Sequence, residues 1–421
     1  MADQRGRADE LTRTLADRLR STIAEDAAVS RRAVLGALGV AGTGAVALSG
    51  PGGAHAGHQN EASDHGHFGS VGGYESDGFD PHAFLREFNT GLGDGGVESR
   101  VYEREDGAGG TERVREFDLY ATLSEVEIAP GVRFPAWTYN DQVPGPTLRV
   151  TEGDVVRVTF RNGQRHAHTI HPHVKNVDPA MDGIPQNGPG VLDRGESFTY
   201  EWKAQPAGVH FYHCHSLPLK EHIHRGLYGV LVVDPDPERV RRNPREYVNY
   251  HGPVDDAYRT DLAERARLRN HEHRAGEVDE MVMVMNGFDT DFDGENEVYA
   301  ANTRAFAYGV ADTDGKGTWE GGETIRPIRI DRDERQRVYL LNTIEFDPIN
   351  SLHTHSQFFD YYDHGTTLLP THKRIDTVMQ CQAQRGIVEL DYGDHQPGLY
   401  MFHAHQSEFA ELGWMSFFEV V

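Results

Sequence analysis

Four His-x-His pairs constrain this chain more than any other feature. They are His171-Pro172-His173 and His213-Cys214-His215 in one half, and His353-Thr354-His355 and His403-Ala404-His405 in the other. In an extended strand residues i and i+2 point to the same face. Each pair therefore presents two imidazoles together and turns its middle residue away. Imidazole is a good ligand for copper, zinc and iron. One such pair arises on surfaces by chance; four, two per half at matching places, specify a metal-binding chain.

The places match because the chain repeats itself. Short apolar or alternating runs at 114–121, 147–150, 155–160, 197–202 and 229–233 read as strands, with turn residues such as Glu152-Gly153-Asp154 between them. A second block from 281 to 421 follows the same outline: a strand at 338–342, a His-x-His, then 398–402 leading into another His-x-His. We read a duplicated unit of roughly 130 residues. Short strands punctuated by turns imply an all-β protein of two tandem Greek-key β-sandwiches. The expected limits are an export signal at 1–56, a flexible acidic, His-containing linker at 57–112, a first domain at 113–240, a charged linker at 241–280 and a second domain at 281–421. Short helices are expected near 84–88 and 261–270.

Cys214 narrows the metal. Its flanking histidines face one way, so its sulfur faces the other, and a thiolate with imidazoles is the donor set of a blue-copper electron-transfer site. His168 and His222 are its candidate partners, with His224 competing for the second place. Cys381 reads as a small buried hydrophobe. With two cysteines, a disulfide framework is excluded.

The net charge of -25 argues against nucleic acid as a partner, because phosphate binding needs Lys and Arg clusters. The bases are mostly Arg, with Lys only at 175, 203, 220, 316 and 373. Such an acidic, lysine-poor surface resembles that of halophilic proteins, where salt screens the self-repulsion. Near the N-terminus, Ser30-Arg31-Arg32-Ala33-Val34-Leu35 leads into a glycine-rich apolar run, then Ala54-His55-Ala56. That run is short for a membrane span and reads as a twin-arginine signal. Export to an extracellular or cell-surface location is expected, without a transmembrane anchor. His55, His58, His65 and His67 then belong to a solvated tail. Two acidic loops, 289–294 and 312–317, imitate calcium loops. Ala300 and Lys316 occupy positions that should be ligands, so both read as solvated turns.

The motifs Phe134-Pro135-Ala136-Trp137-Thr138-Tyr139-Asn140, Val143-Pro144-Gly145-Pro146-Thr147-Leu148-Arg149-Val150, Gly208-Val209-His210-Phe211-Tyr212-His213-Cys214-His215 and Gly398-Leu399-Tyr400-Met401-Phe402-His403-Ala404-His405 resemble those of multicopper oxidases built from cupredoxin domains. The resemblance implies a laccase-like oxidase carrying four coppers per subunit. His168, Cys214 and His222 would hold a type-1 copper. His171, His173, His213, His215, His353, His355, His403 and His405 would hold a type-2 copper and a binuclear type-3 pair. Asp182 matches the family's supporting acid, a candidate proton donor, although a plain turn residue would also suit its place. Leu227 stands where many relatives have an axial Met, which should raise the potential.

The second repeat departs from the family pattern. Ala404 replaces the cysteine, and Asn350 and Phe409 are read at the places of the type-1 histidines. The pattern resembles two-domain oxidases with type-1 copper in the first domain only, which are similar to copper nitrite reductases. That likeness implies a homotrimer with the cluster between subunits, taking electrons from a small molecule or metal ion and giving them to dioxygen. The alternatives are a copper nitrite reductase and a non-catalytic copper-binding protein.

Overall fold

The computed structural model describes residues 99–129, 132–249, 252–273, 278–303, 305 and 327–421. The proposed export signal, the tail histidines, the expected helix at 84–88 and the loop 312–317 lie outside them. The first half folds as β1 (Arg100–Glu105), β2 (Thr111–Ala129), β3 (Val132–Tyr139), β4 (Gly145–Thr151), β5 (Val155–Asn162), β6 (His171–Pro172), β7 (Ser197–Lys203), β8 (Gly208–His213) and β9 (Tyr228–Asp234). One sheet runs β1-β2-β5-β7 with β3 also on β2, and the other runs β4-β9-β8-β6. Alternation sends Phe117 and Leu119 of β2 and Val156, Val158 and Phe160 of β5 inward. There they meet Leu148 and Val150 of β4 and Leu231 and Val233 of β9 in one core.

The second half comprises β10 (Val278–Phe288), β11 (Val298–Ala301), β12 (Ile328–Ile330), β13 (Arg335–Asn342), β14 (Ile349–Thr354), β15 (Phe359–Asp363), β16 (His372–Ile375), β17 (Thr377–Cys381), β18 (Arg385–Leu390), β19 (Gly398–His403) and β20 (Met415–Val420). Its sheets are β11-β10-β13-β18-β15-β16 and β12-β20-β19-β14-β17. The duplication is visible in the pairing. Parallel β2–β5 and β4–β9 match parallel β10–β13 and β12–β20. In both halves the last His-x-His strand pairs antiparallel with the first: His171 lies opposite His213, and His353 opposite His403. The architecture is that of tandem cupredoxin-like sandwiches, as expected.

Among the described residues four α-helices decorate it: α1 (Leu219–His224), α2 (Pro237–Arg242), α3 (Asp256–Arg269) and α4 (Ser407–Glu411). No helix among the described residues is long and apolar enough to cross a membrane.

Several expectations need correction. The flexible linker does not extend to 112, because β1 hairpins onto β2 from Thr111. β1 is almost wholly exposed and so carries no apolar alternation to read. The charged linker contains α3, which starts at Asp256 rather than 261, capped by the Asp255 carboxylate accepting the Tyr258 N–H. β10 begins at Val278, ahead of the expected boundary. Cys381 is exposed, not buried, on β17 opposite Ile349. By compactness residues 289–295 group apart from the body that holds 296–421 and the described residues up to 288. Within that loop Asp289 is buried rather than solvated, its carboxylate accepting the N–H groups of Asp293 and Gly294.

The two halves are joined by buried charge. Arg149 of β4 grips Asp234 of β9 with two hydrogen bonds of 3.0 Å and also reaches Glu280 of β10. Glu280 accepts from Tyr339 at 2.7 Å and Arg337 at 3.1 Å, and Arg337 continues to Glu389 at 2.8 Å. Strand β8 is buried along its whole length. At Gly208 the backbone approach is so close (φ +141°) that a Cβ would stand 2.5 Å from the His364 carbonyl.

Candidate metal centre

Three donor atoms converge in the first domain. The Nδ1 atoms of His168 and His222 lie 3.1 Å apart, and Cys214 Sγ is 3.7 Å from the first and 3.2 Å from the second. Each comes from a different element. His168 sits in the segment after β5 and is pinned by paired backbone hydrogen bonds with Leu192. Cys214 follows β8, and His222 rides on α1. All three are buried, at 0%, 0% and 2% exposure, with no carboxylate in the group. Burial, reinforced by neighbouring charge, pulls His168 down to about 2 and His222 to about 3. Burial also pushes the Cys214 thiol up, opposed by backbone N–H groups from Thr169 and Ser216. Two neutral imidazoles beside a thiol suit a soft, imidazole-preferring metal such as copper.

His224, the competitor, is directed elsewhere: its ring packs 5.4 Å from Phe134 and 5.0 Å from Phe346. Leu227 is fully buried in the same core as Cys214, and its carbonyl accepts the Cys214 N–H at 3.0 Å.

The second domain carries the same scaffold without the donors. Ala404 N–H donates to Trp414 O at 3.1 Å, as Cys214 does to Leu227. His405 N–H donates to Ser351 Oγ at 2.8 Å, as His215 does to Thr169 Oγ1 at 2.9 Å. The offsets therefore equate His168 with Asn350. Asn350 and Ala404 are fully buried, and Phe409 stacks on Tyr299 at 4.0 Å. A buried amide and a methyl group thus stand where the first domain has the His168 imidazole and the Cys214 thiol.

Each domain also gathers the four histidines of its two His-x-His pairs into a quartet. In the first, the His171 ring stands 5.2 Å from His173, 5.3 Å from His213 and 5.2 Å from His215. In the second, His353 is 5.2 Å from His355, 5.3 Å from His403 and 5.1 Å from His405. Backbone carbonyls fix the tautomers. Nδ1–H donates to Asp182 O from His171 (2.7 Å), to Cys214 O from His213 (2.8 Å), to Asp376 O from His353 (2.9 Å) and to Ala404 O from His403 (2.6 Å). That leaves the Nε2 lone pairs for a metal. Burial and the neighbouring imidazoles hold His173 near 2 and His213 near 3, so both stay neutral and ligating.

Asp182 places its carboxylate 3.3 Å from His171 Nδ1, beside the carbonyl that the same nitrogen contacts. Gly183 makes this possible, because a Cβ there would collide with the Ile170 carbonyl at 1.8 Å. Sequence reading missed its counterpart, Asp376, whose carboxylate is 4.0 Å from His353 Nδ1. Equating the two halves would have found it only with a register across the 355–377 insertion. It also missed Trp137, whose indole lies 4.8 Å from the His222 ring and 5.5 Å from His168. Within one chain the donor atoms close enough to share a metal fall into two separate groups, His171, His173 and His213, and His353, His355 and His403. The second quartet is the more open, with His355 and His405 exposed.

Comparison with known proteins agrees with this geometry. Two multicopper oxidase family models match residues 121–238 and 290–421. A solved multicopper oxidase is 41% identical, with a TM-score of 0.63 over 82% of this chain and 98% of its own. Copper nitrite reductase from Nitrosomonas europaea shares the fold at 23% identity, TM-score 0.55, covering 73% and 94% of the two chains. Copper resistance protein A of Pseudomonas syringae pv. tomato is 38% identical over 119 residues, 28% of this chain and 19% of its own. The copper-containing nitrite reductase of Neisseria gonorrhoeae is 37% identical over 109 residues, 25% and 26% of the two chains. The chain thus spans about a fifth to a quarter of these two curated relatives.

Proposed function

This chain belongs to the multicopper oxidase family, and on that footing we propose that it is a laccase-like oxidase reducing dioxygen to water with single electrons from a small-molecule or metal-ion donor. His168, Cys214 and His222 would hold a type-1 copper. The two histidine quartets would hold a type-2 copper and a type-3 pair, giving four coppers per subunit. Copper, when bound, supplies one-electron chemistry between its cupric and cuprous states.

The chain's own residues do the rest. The buried triad keeps water from the type-1 ligands. Cys214 is joined through its backbone to His213 and His215, so one short covalent path links the triad to the first quartet. The carbonyls of Asp182, Cys214, Asp376 and Ala404 hold the quartet rings in their ligating tautomer. Asp182 is suited to hand protons toward the first quartet, beside His171.

The observation that carries the reading is the pair of matching donor groups, His171, His173 and His213 in one half and His353, His355 and His403 in the other, each with a fourth imidazole beside it, which do not merge within one chain. A cluster using all eight histidines needs the first quartet of one copy and the second of another. A head-to-tail contact of this kind closes into a ring, and a homotrimer is the arrangement we favour. Nitrite reduction at a single three-histidine copper would leave His215 and the second quartet's fourth imidazole without a role. We also assign the chain to twin-arginine export and to a saline exterior, on the paired arginines and the net charge of -25.

The test is oxygen uptake by copper-loaded protein at high salt with a phenolic donor, with nitrite offered as rival acceptor. We expect four electrons consumed per dioxygen. Nitrite consumption in place of oxygen uptake would favour the reductase, and full copper loading without turnover would favour a copper store.

A further inference from the structure

Neither imidazole of the type-1 triad reaches solvent, since His168 is 0% and His222 2% exposed. An external donor therefore has no ligand edge to touch, and another group must carry the electron inward. We propose that this group is Trp137, and that donors meet the molecule at His166 and Arg165; the inference rests on the type-1 reading above.

The geometry is continuous. Trp137 is itself buried and sets its ring edge-on to both triad histidines, 4.8 Å from His222 and 5.5 Å from His168. On it the half-buried His166 is stacked, with 4.4 Å between centroids and 30° between planes. The stack is fixed from behind: Asn162 donates to the His166 carbonyl at 2.6 Å, and Trp137 N–H donates to Arg225 O at 2.9 Å. The exposed Arg165 lies in front, donating from Nε to His166 Nε2 at 3.1 Å.

Trp137 serves as a bridge and not as a radical site. The Arg225 guanidinium stands 5.3 Å from the centroid of its ring and opposes positive charge on the indole. The exposed Arg165 also carries positive charge at this face on a molecule of net charge -25, whereas the buried Arg225 is paired with Glu221 at 3.5 Å. Charge of that sign steers anionic donors toward it.

Anaerobic bleaching of the blue band tests this with two reductants of opposite charge. Ascorbate monoanion loses one electron and, to water, one proton; hexaammineruthenium(II) loses one electron only. In each case one cupric ion becomes cuprous. We expect His166→Ala to slow bleaching by both about tenfold, with blue spectrum and reduction potential unchanged. At low salt Arg165→Glu should slow ascorbate about fivefold and speed the ruthenium complex by a similar factor. Unchanged rates in His166→Ala, or both donors moving in the same direction in Arg165→Glu, would overturn the route.

A readout independent of electron transfer is tryptophan emission of the copper-free protein during cupric titration. The emission lost in Trp137→Phe should be quenched as the triad fills, and an unquenched signal also overturns the proposal. Absence of a blue band from unmutated copper-loaded protein would instead sink the type-1 reading beneath it.

Discussion

The Nε2 atoms of His173 and His213 meet at 3.1 Å, and only a proton or a cation can lie between them. The same contact recurs between His355 and His403 at 3.0 Å. Because burial holds His173 and His213 neutral, these pairs are built for a cation, and metal binding should stabilise the fold. Stripping copper with a cuprous and cupric chelator should lower the unfolding free energy by about 4 kcal/mol where free copper had stood near a thousand times its Kd. Calorimetry with and without chelator measures this. Equal midpoints would show that the quartets bind metal weakly.

Cys214→Ser should abolish the blue absorption and remove about one copper in four, leaving cluster copper in place. Absorption near the visible charge-transfer band, with metal analysis, is the check. Retained blue colour would show that the type-1 site lies elsewhere.

Co-assembly should separate an intersubunit cluster from two independent ones. His173→Ala damages the first quartet and His355→Ala the second, so each variant alone should lose oxygen reduction. In randomly mixed oligomers roughly a quarter of interfaces would pair two intact quartets, and activity should return in that proportion. No recovery in verified mixed oligomers would refute the shared cluster.

Glu389 gives the fold an acid limit. Burial opposes its ionisation, but Arg337 and Arg269 outweigh burial and hold its carboxyl at about 2, below the usual 4.5. A depressed carboxylate contributes stability that is complete above its unfolded value and is lost as pH falls through the folded one. The loss should therefore fall between about pH 4.5 and 2 and amount to about 3 kcal/mol. Chemical unfolding across that range should show the slope in the wild type, with a shallower one in Glu389→Gln. Glu389→Gln should also be less stable at pH 7, by about 3 kcal/mol, because it leaves Arg337 short of a partner.

Salt should stabilise the molecule. The net charge of -25 is self-repelling, and the Debye length shrinks from about 10 Å at 0.1 M to 3 Å at 1 M salt. The unfolding midpoint should rise over that range. A flat or falling midpoint would remove the argument for a saline habitat.

The metal centre was legible in the sequence because strand alternation is a local rule. Once His213-Cys214-His215 is extended, the directions of three ligands follow. The choice of His222 over His224 was not local, since it depends on where Phe134 and Phe346 arrive to take the second ring. β1 went unread because its exposed residues carry no apolar pattern, and the buried ties of Arg149 to Asp234 and Glu280 join residues 85 and 131 positions apart. The stacking of Trp137 and His166 escaped notice for the same reason: it joins strand β3 to the segment after β5. Cys381 shows the opposite error, in which residue type was allowed to stand for environment.

The loss of type-1 donors at Asn350 and Ala404 bears on how the molecule matures. The second domain buries those two positions without needing an ion there, although its histidine quartet still awaits one. The first keeps a thiol and two imidazoles waiting for an ion. Under copper starvation the first domain thus carries an unfilled buried triad, with a weakness between Cys214 and His222 that the second domain lacks. A protease acting on starved material should cut there first, which would make that stretch the place where a cell distinguishes charged from uncharged copies.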